Sequence, residues 1–282
     1  MTELHEPMGE KELHMLWDTE LEILDVIHQV CVDNHLRYTL ACGTAIGFAR
    51  HGGFIPWDDD IDLLMPREDY ETLLSIWDDV APQGYLLQNY RTDSDFTQNF
   101  TKIRKDHTAF IHDEEEKSKK YHKGIFVDIL PRDRVAPNRI SRACQYIAAA
   151  IVLLYSREKR SGTGGIIGLT ERILLALPAK WHRSVRNAAE HFVCKWNGRK
   201  DCMLFFPSSM KTIRLYYPPD LFEKMITVTF CGKEYYSVAD WDLALRIEYG
   251  DYMQLPPEEE RVWKHHPIIL DFEHNYEELE ST

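Results

Sequence analysis

The sequence predicts an α+β fold, in which helices flank a mixed sheet, with a helical insertion or subdomain. Amphipathic helical patterns alternate with short apolar runs of strand length, which is typical of mixed α and β layers. The chain of 282 residues, 44% of them hydrophobic and 28% charged, is long enough to bury a sizeable core. Residues 139–200 do not show this alternation, because they are basic and their apolar residues recur only at helical spacing.

The first half of the chain supplies most of the predicted sheet. Apolar residues at helical spacing predict a first helix over 13–35. A short helix over 43–50, whose open N–H groups could face an anion, ends at Gly52-Gly53. Pro66 ends the second strand, and a helix over 69–77 follows. The predicted strands lie at residues 38–42, 61–65, 85–90, 101–105 and 126–130.

The second half differs in charge. Residues 139–200 carry twelve Lys and Arg against three Asp and Glu, a net charge of +9, which leaves −22 for the rest of a chain whose total is −13. This helical pattern is broken at residues 161–165. Strands over 222–230 and 234–238 flank a Cys-Gly-Lys turn and predict a hairpin, followed by a helix over 240–249. The acidic tail from Glu273 is expected to fray.

Composition excludes several classes of protein. The net charge of −13 argues against wholesale binding to nucleic acid, so no nucleic-acid partner is expected. The first residues lack the basic and apolar regions of a secretory signal, and no apolar run is long enough to span a membrane. Six cysteines without a CxxC pair are expected to stay reduced in a cytoplasmic protein. A zinc site would rest only on Cys194, Cys202 and His191.

The most informative stretch is a block of aspartates, Asp58, Asp59, Asp60 and Asp62. Four carboxylates within five residues repel one another unless a cation lies among them, and oxygen ligands favour Mg²⁺ or Mn²⁺. Because side chains alternate along a strand, Asp60 and Asp62 share one face and are the predicted catalytic metal ligands. Asp58 and Asp59 either add ligands or cap the turn.

Asp128 is predicted to be the third catalytic carboxylate and a further metal ligand. It is the lone acid in the apolar run GIFVDILP at residues 124–131. Burying an unpaired carboxylate costs several kcal/mol. A metal ion, a role in proton transfer, or an ion pair with a core Arg or Lys would each compensate this cost.

Groups suited to nucleotide or phosphate oxygens lie near the aspartates. Gly43 and Thr44 form a turn just upstream, and Arg50 and His51 follow it; the last two either bind phosphate or face solvent.

Two further basic clusters are candidates. Lys102 and Arg104 alternate along a predicted strand and either line the same cleft or form a solvated face. A late cluster around Lys264 contributes the secondary candidates Arg261, His265 and His266.

At these motifs the chain resembles the LicD family, which includes bacterial phosphocholine transferases and the related domain of fukutin and fukutin-related protein. The resemblance rests on Gly43-Thr44, on RHGGFIPWDDDIDL at 50–63 and REDY at 67–70, on GIFVDILP at 124–131, and on YGDYM at 249–253 followed by LPP at 255–257. It covers roughly residues 13–266, and the basic middle is its least diagnostic part.

The resemblance implies a nucleotidyltransferase fold, whose pattern is a Gly-Ser or Gly-Thr turn, two aspartates on the next strand and a later third acid. Here the pattern maps onto Gly43-Thr44, onto Asp60 with Asp62, and onto Asp128. The chain then divides into a nucleotidyltransferase-like catalytic core at 1–138, a basic helical segment at 139–205, and a C-terminal hairpin and helix at 206–282. The gap between Thr44 and Asp60 is longer than in minimal members, which leaves open which of Asp58 to Asp62 contact metal.

The resemblance also implies a reaction. Phosphocholine would pass from CDP-choline to a hydroxyl of a cell-surface glycan of the teichoic acid or lipo-oligosaccharide type, and CMP would leave. Alternatives are the same chemistry with phosphoribitol, phosphoethanolamine or a phosphosugar, a nucleotidyltransferase that releases pyrophosphate, and an inactive binding module. A choline headgroup favours an aromatic wall, for which Trp57 and Tyr121 are the candidates.

The acceptor implied by the resemblance is a glycan or a lipid-linked glycan, some of which are built at the inner membrane face. The basic middle of the chain therefore has two interpretations. It makes peripheral contact with anionic lipid or polymer at the cytoplasmic membrane, or it is a helical subdomain with solvated charges.

Overall fold

A mixed sheet organises the fold. The computed structural model describes residues 9–157, 171–205 and 207–280. The strands are β1 Thr39–Leu40, β2 Asp62–Pro66, β3 Tyr85–Gln88, β4 Thr101–Lys105, β5 Ala109–Ile111, β6 Phe126–Arg134, β7 Leu204–Phe205, β8 Met225–Phe230, β9 Lys233–Val238 and β10 Ile269–Asp271. The helices are α1 Glu10–Asp33, α2 Cys42–Arg50, α3 Arg67–Val80, α4 Glu114–Lys117, α5 Arg139–Arg157, α6 Ala179–Cys194, α7 Trp241–Tyr249 and α8 Tyr276–Glu280, with 3₁₀ turns at Thr212–Arg214 and Glu258–Glu260.

Strand β6 is the centre of the main sheet. The strand order in the described part of the chain is β1-β2-β6-β4-β3, and β7 pairs with the far end of β6. β2 and β6 run parallel, whereas the other neighbouring pairs of this sheet are antiparallel. β8 and β9 form the predicted hairpin, and β5 pairs with β10. The mixed strand directions and flanking helices confirm the predicted α+β class.

Helix α1 covers one face of the sheet with its apolar stripe. Leu16, Ile23 and Ile27 on this stripe are fully buried and belong to one cluster with Ile61 and Val127 of the sheet region. Each such side chain contributes about 1.5–3 kcal/mol when it leaves water. This packing fixes the position of β2 and β6, the two strands that carry the candidate carboxylates.

The observed elements match most predicted ones, with ends shifted by a few residues. β6 extends to Arg134, four residues beyond the predicted end at Leu130. The extension carries charged residues that a sequence pattern reads as solvent-exposed. They are buried because they find partners, as where Arg67 Nη2 lies 2.8 Å from Asp133 Oδ2.

The basic middle of the chain forms α5 and α6, which pack against each other around Val152 and Val193. The predicted break at 161–165 lies outside the described residues. Leu204 and Phe205, at the end of this segment, join the main sheet as β7. Across the described ranges, none of the helices combines the length and the apolarity that crossing a bilayer demands.

The C-terminal tail is more ordered than expected. Asp271 Oδ1 accepts the backbone N–H groups of Glu273 and His274 at 2.9 Å and 2.7 Å, and helix α8 follows. The prediction of fraying from Glu273 is therefore wrong as far as Glu280. The six cysteines are free thiols, as expected. Among the described residues, no group with metal-ligand geometry contains Cys194, Cys202 or His191.

Candidate active site

A row of charged side chains crosses three neighbouring strands. Asp62 on β2 is in register with Asp128 on β6, and Asp128 is in register with Lys102 on β4. Residues that face each other in neighbouring strands point to the same side of a sheet. Lys102 Nζ lies 2.7 Å from Asp128 Oδ1, and the two side chains are only 10% and 11% exposed. The sheet thus brings two acids from separate parts of the chain beside one lysine.

Asp60 joins this row from the turn that precedes β2. Ile61, between Asp60 and Asp62, is fully buried, and its carbonyl accepts the N–H of Asp128 at 2.9 Å. Alternation along the backbone then places Asp60 and Asp62 on the side opposite Ile61. The three carboxylates Asp60, Asp62 and Asp128 converge on one region of the sheet.

Gly43 and Thr44, in the first turn of helix α2, fit tightly against the aspartates. Thr44 Oγ1 accepts the N–H of Asp62 at 2.9 Å, which ties the start of α2 to the start of β2. A Cβ atom on Gly43 would lie 2.0 Å from Asp58 Oδ2, so only glycine fits here. Ala41, the residue before α2, supplies no side-chain cap to the first N–H groups of the helix.

Asp59 and His265 form another contact at the site. Asp59 is 1% exposed and accepts the backbone N–H of His265 at 2.8 Å. Its other oxygen lies 3.0 Å from His265 Nδ1. The late basic cluster is therefore held directly over the aspartate block, about two hundred residues away in sequence.

Burial and mutual repulsion shift the titration of these aspartates. Burial, reinforced by the charge of Asp60, raises the pKa of Asp58 to about 7. Burial is also the main cause that raises the pKa values of Asp60 and Asp62, and neighbouring carboxylates raise both further. Burial lowers the pKa of Lys264, but the charges of Asp58 and Asp60 have the larger combined effect and raise it above its ordinary value.

Glu20 is a further acid at this site, and it was not among the sequence candidates. It lies on α1, is 1% exposed, and its Oε2 has no hydrogen-bond partner among the described residues. Burial, followed by the charges of Asp60 and Asp59, raises its pKa well above the ordinary value. Its position offered a signal, because Glu20 lies on the buried stripe of α1 between Leu16 and Ile23.

These residues suit a hard divalent cation. Ligand atoms of Asp59, Asp60 and His265 lie within 4.8 Å of one another. Burial is the main cause of the raised pKa values of Asp60 and Asp62, and neighbouring carboxylates add to it. Oε2 of the buried Glu20 has no hydrogen-bond partner among the described residues. The carboxylate oxygens fit Mg²⁺ or Mn²⁺, while the Nδ1 atom of His265 already pairs with Asp59.

Protein groups already engage three of the candidate phosphate ligands, namely Lys102, which pairs with Asp128, and two arginines. Arg50 Nη1 donates to the carbonyl of Tyr252 at 2.7 Å and lies 3.4 Å from that of Gln254. Arg104 is 1% exposed and donates to Gln88 Oε1 at 2.6 Å and to the carbonyl of Gly124 at 2.7 Å. Both arginines therefore hold the scaffold around the site in the arrangement observed here.

The aromatic candidates lie against different neighbours. The Trp57 ring is 5.5 Å from the guanidinium carbon of Arg261 and 6.3 Å from the ring of His51, which is itself exposed. Tyr121 donates to Glu116 Oε1 at 3.2 Å and contacts Phe96. No ring contact among the described residues joins Trp57 to Tyr121.

The remaining members of the late cluster lie at the surface of the site. Arg261 donates to the carbonyl of Pro256 at 2.9 Å, and His266 is exposed.

Comparisons with known proteins found matches over the region that contains the site. Residues 35–140 match the LicD/FKTN/FKRP nucleotidyltransferase domain, a span that contains β1 to β6. Lipopolysaccharide cholinephosphotransferase LicD of Haemophilus influenzae is 27% identical over 256 residues, which cover 86% of this chain and 91% of that protein.

Two shorter matches are to uncharacterised proteins of Rickettsia. The protein of Rickettsia prowazekii is 31% identical over 70 residues, 25% of this chain and 26% of its own length. The protein of Rickettsia typhi is 29% identical over 68 residues, 24% of this chain and 22% of its own length.

The resemblance to LicD that the sequence motifs indicated is thereby confirmed. It covers most of the chain, and the family domain contains the aspartates that the sheet brings together. The chain therefore contains a LicD/FKTN/FKRP nucleotidyltransferase domain at residues 35–140, and its similarity to a LicD cholinephosphotransferase over most of its length supports a phosphotransferase enzyme.

Proposed function

We propose that this protein transfers phosphocholine from CDP-choline to a hydroxyl of a cell-surface glycan and releases CMP. The observation that carries the proposal is the row of Asp62, Asp128 and Lys102 across the sheet, with Asp60 beside it. The Haemophilus relative is named a lipopolysaccharide cholinephosphotransferase. That name favours an acceptor of the lipopolysaccharide type, and a teichoic acid is the second candidate.

Asp60 and Asp62 are the residues proposed to hold Mg²⁺ or Mn²⁺, with Asp59 and His265 adjacent. When bound, the ion would neutralise the crowded carboxylates and stabilise negative charge on the donor diphosphate. The burial of Asp60 and Asp62 beside other carboxylates supports this assignment, because burial, followed by the neighbouring charges, raises the pKa values of both. Lys264 adds positive charge beside the same aspartates.

Asp128 and Lys102 are proposed to serve the acceptor. The hydroxyl oxygen of the glycan forms a bond to the phosphorus of the phosphocholine unit, while the bond from this phosphorus to the bridging oxygen breaks. CMP leaves with the electron pair, and the hydroxyl proton passes to Asp128. Lys102, 2.7 Å from Asp128 Oδ1, orients this carboxylate.

The donor phosphates are proposed to meet the start of α2. Ala41 supplies no side-chain cap to the first N–H groups, at Gly43 and Thr44. Uncapped N–H groups at the N-terminus of a helix stabilise an anion. Arg50 and His51, at the other end of this helix, complete the basic surroundings.

Trp57 is the proposed contact for the choline headgroup. A quaternary ammonium binds an aromatic face by cation–π attraction and donates no hydrogen bond. The ring already lies beside the Arg261 guanidinium, at 5.5 Å, and so accepts a cation. Donors carrying phosphoribitol, phosphoethanolamine or a phosphosugar would keep the chemistry and change only this contact.

Product analysis tests the reaction. Protein, Mg²⁺ and a lipopolysaccharide or teichoic acid acceptor are incubated with CDP-choline labelled in the choline methyl groups. Labelled glycan and an equal amount of CMP are expected, and both are expected to disappear with EDTA or with Asp60→Asn. Turnover of CDP-ribitol or CDP-ethanolamine instead would identify another cargo. Pyrophosphate release from CTP would identify a nucleotidyltransferase, and inactivity with every donor would contradict the proposal.

We further propose that the enzyme works in the cytoplasm and touches the membrane through α5 and α6. Ile140, Ile147 and Trp181 on these helices are 79%, 60% and 56% exposed. They lie in the segment of residues 139–200, whose net charge is +9. Exposed apolar side chains beside positive charge favour anionic lipid surfaces.

Liposome sedimentation tests this contact. Binding to vesicles with anionic lipid is expected to weaken with salt and to fall in Ile147→Asp with Trp181→Ala. Equal binding to neutral and anionic vesicles would contradict an electrostatic contact, and no binding to either would favour a solvated helical subdomain.

A further inference from the structure

A cavity of about 410 Å³ lies outside the carboxylate site. It lies between the loop that follows β3 and the helices of the basic segment, and the residues that shape it include Tyr90, Phe96, Tyr155, His182, Arg183 and Arg186. Its volume is typical of sites that bind small molecules. The transfer chemistry proposed above uses none of these side chains.

The cavity is built to receive negative charge. Arg186 is 5% exposed, and its Nε has no hydrogen-bond partner among the described residues, although its Nη2 donates to the carbonyl of Gln98 at 2.8 Å. The buried Nε2 of His182 likewise has no partner in the described ranges. His182 and Arg186 lie one turn apart on α6 and so share a helix face. No carboxylate is among the described residues that line the cavity, and the nearby Glu190 accepts a hydrogen bond from the Tyr90 hydroxyl.

The other walls of the cavity are aromatic. The guanidinium carbon of Arg186 lies 3.8 Å from the centre of the Tyr90 ring. The rings of Tyr155 and His182 are 4.9 Å apart, and Phe96 is 4% exposed. Aromatic faces pack well against the apolar face of a ring-shaped ligand. A phosphate joined to a sugar ring combines the two features that these walls recognise.

The cavity is linked to the carboxylate site through aromatic contacts. The Phe96 ring lies 5.7 Å from the ring of Tyr121 and 6.4 Å from that of Phe100. Lys102 Nζ, which pairs with Asp128, lies 5.4 Å from the centre of the Phe100 ring. One layer of aromatic side chains therefore separates the cavity from the row of Asp62, Asp128 and Lys102.

We propose that this cavity binds a phosphorylated sugar of the acceptor glycan. Arg186, His182 and the more exposed Arg183 bind the phosphate, and the rings of Tyr90 and Tyr155 lie against the sugar. That the sugar belongs to the acceptor rests on the proposed function, whereas the binding of a phosphorylated sugar does not.

Calorimetric titration with glucose 6-phosphate tests the binding, with glucose and inorganic phosphate as partial ligands and CMP as a nucleotide. We expect glucose 6-phosphate to bind at least ten times more tightly than glucose or phosphate. Arg186→Gln should weaken it at least tenfold and Arg183→Ala about threefold to tenfold, since a charge-assisted contact is lost. Arg199→Gln is the matched control, because Arg199 is an exposed arginine of the same basic segment that pairs with Asp201. Thermal unfolding verifies that each variant folds. If Arg186→Gln does not fold, Arg183→Ala still tests the proposal.

The outcomes separate this site from the carboxylate site. Asp60→Asn should abolish transfer while leaving the affinity for glucose 6-phosphate unchanged, so that failure of the transfer assay does not decide the cavity. Equal affinity of wild type and both arginine variants would overturn the proposal. So would binding of CMP in place of glucose 6-phosphate with the same loss in Arg183→Ala, because the cavity would then be a nucleotide site.

Discussion

Lys102 Nζ lies 2.7 Å from Asp128 Oδ1, and both residues belong to the buried centre of the main sheet. Burial lowers the pKa of Lys102, and the Asp128 carboxylate counteracts this effect without cancelling it. Each charge is therefore tolerated because of the other, and removing one leaves its partner buried without compensation.

Replacing Lys102 with Met should lower the free energy of unfolding by about 3–5 kcal/mol, because Asp128 loses its partner. Urea unfolding measures this change. Lys105→Met is the matched control, because Lys105 lies on the same strand and pairs with Glu22 at the surface. Exposed pairs contribute no more than about 1 kcal/mol. Equal effects of the two substitutions would show that the buried pair is not coupled.

Asn in place of Asp60 or Asp62 should abolish the response to metal and leave the fold intact. Burial, and after it neighbouring charges, raises the pKa values of both carboxylates, so a neutral isostere removes the cost of a buried charge. The melting temperature in EDTA should therefore equal or exceed that of the wild type. Mg²⁺ should raise the melting temperature of the wild type and of the control Asp220→Asn only. Transfer should fall by at least about 100-fold, the scale of a lost electrostatic contact in a transition state. A full metal response in Asp60→Asn would rule out this residue as a ligand.

Asp58 should make the metal-free protein lose stability as the pH rises. Its pKa is about 7 in the folded protein against an ordinary value of 3.8. Between these values the folded state binds more protons than the unfolded state, so this residue's contribution is full below about pH 4 and declines toward pH 7.

Buried histidines titrate in the opposite sense, as with His112, whose pKa burial lowers to about 3. The test therefore compares urea unfolding of the wild type and Asp58→Asn from pH 5 to 8 in EDTA. As the pH rises, the free energy of unfolding of the wild type should fall relative to that of Asp58→Asn. Parallel plots of the two free energies against pH would contradict the shifted pKa of Asp58.

Gly43→Ala should damage the site because the new methyl group meets Asp58. The added carbon would lie 2.0 Å from Asp58 Oδ2, so the carboxylate or the turn must move. A loss of about 1–3 kcal/mol in the free energy of unfolding is expected, together with reduced transfer. Gly198→Ala is the control, since a methyl group there meets nothing within 4 Å. A Gly43→Ala protein as stable and active as this control would show that Asp58 moves away from the methyl group without a cost in stability.

The local part of the fold and of the site was predictable from sequence. Strand β4 has the predicted bounds, and the ends of α1, α2 and α3 lie within a few residues of the predicted ones. Each of these segments carries its own spacing of apolar residues and its own turn residues at the ends. The far end of β6 was not predicted. Its charged residues are buried in ion pairs such as that of Asp133 with Arg67, and no pattern along the strand reveals a partner more than sixty residues away.

Sequence by itself determined which residues bear the chemistry. Asp60 and Asp62 flank the buried Ile61 at the start of β2, so their shared face follows from the alternation of side chains along an extended backbone. Only tertiary structure decided what surrounds them. Strand register set Asp128 between Asp62 and Lys102, helix packing buried Glu20 near Asp60, and the late loop carried His265 to Asp59. Such contacts depend on which elements pack together, and that choice depends on the burial of the whole core and not on any single segment.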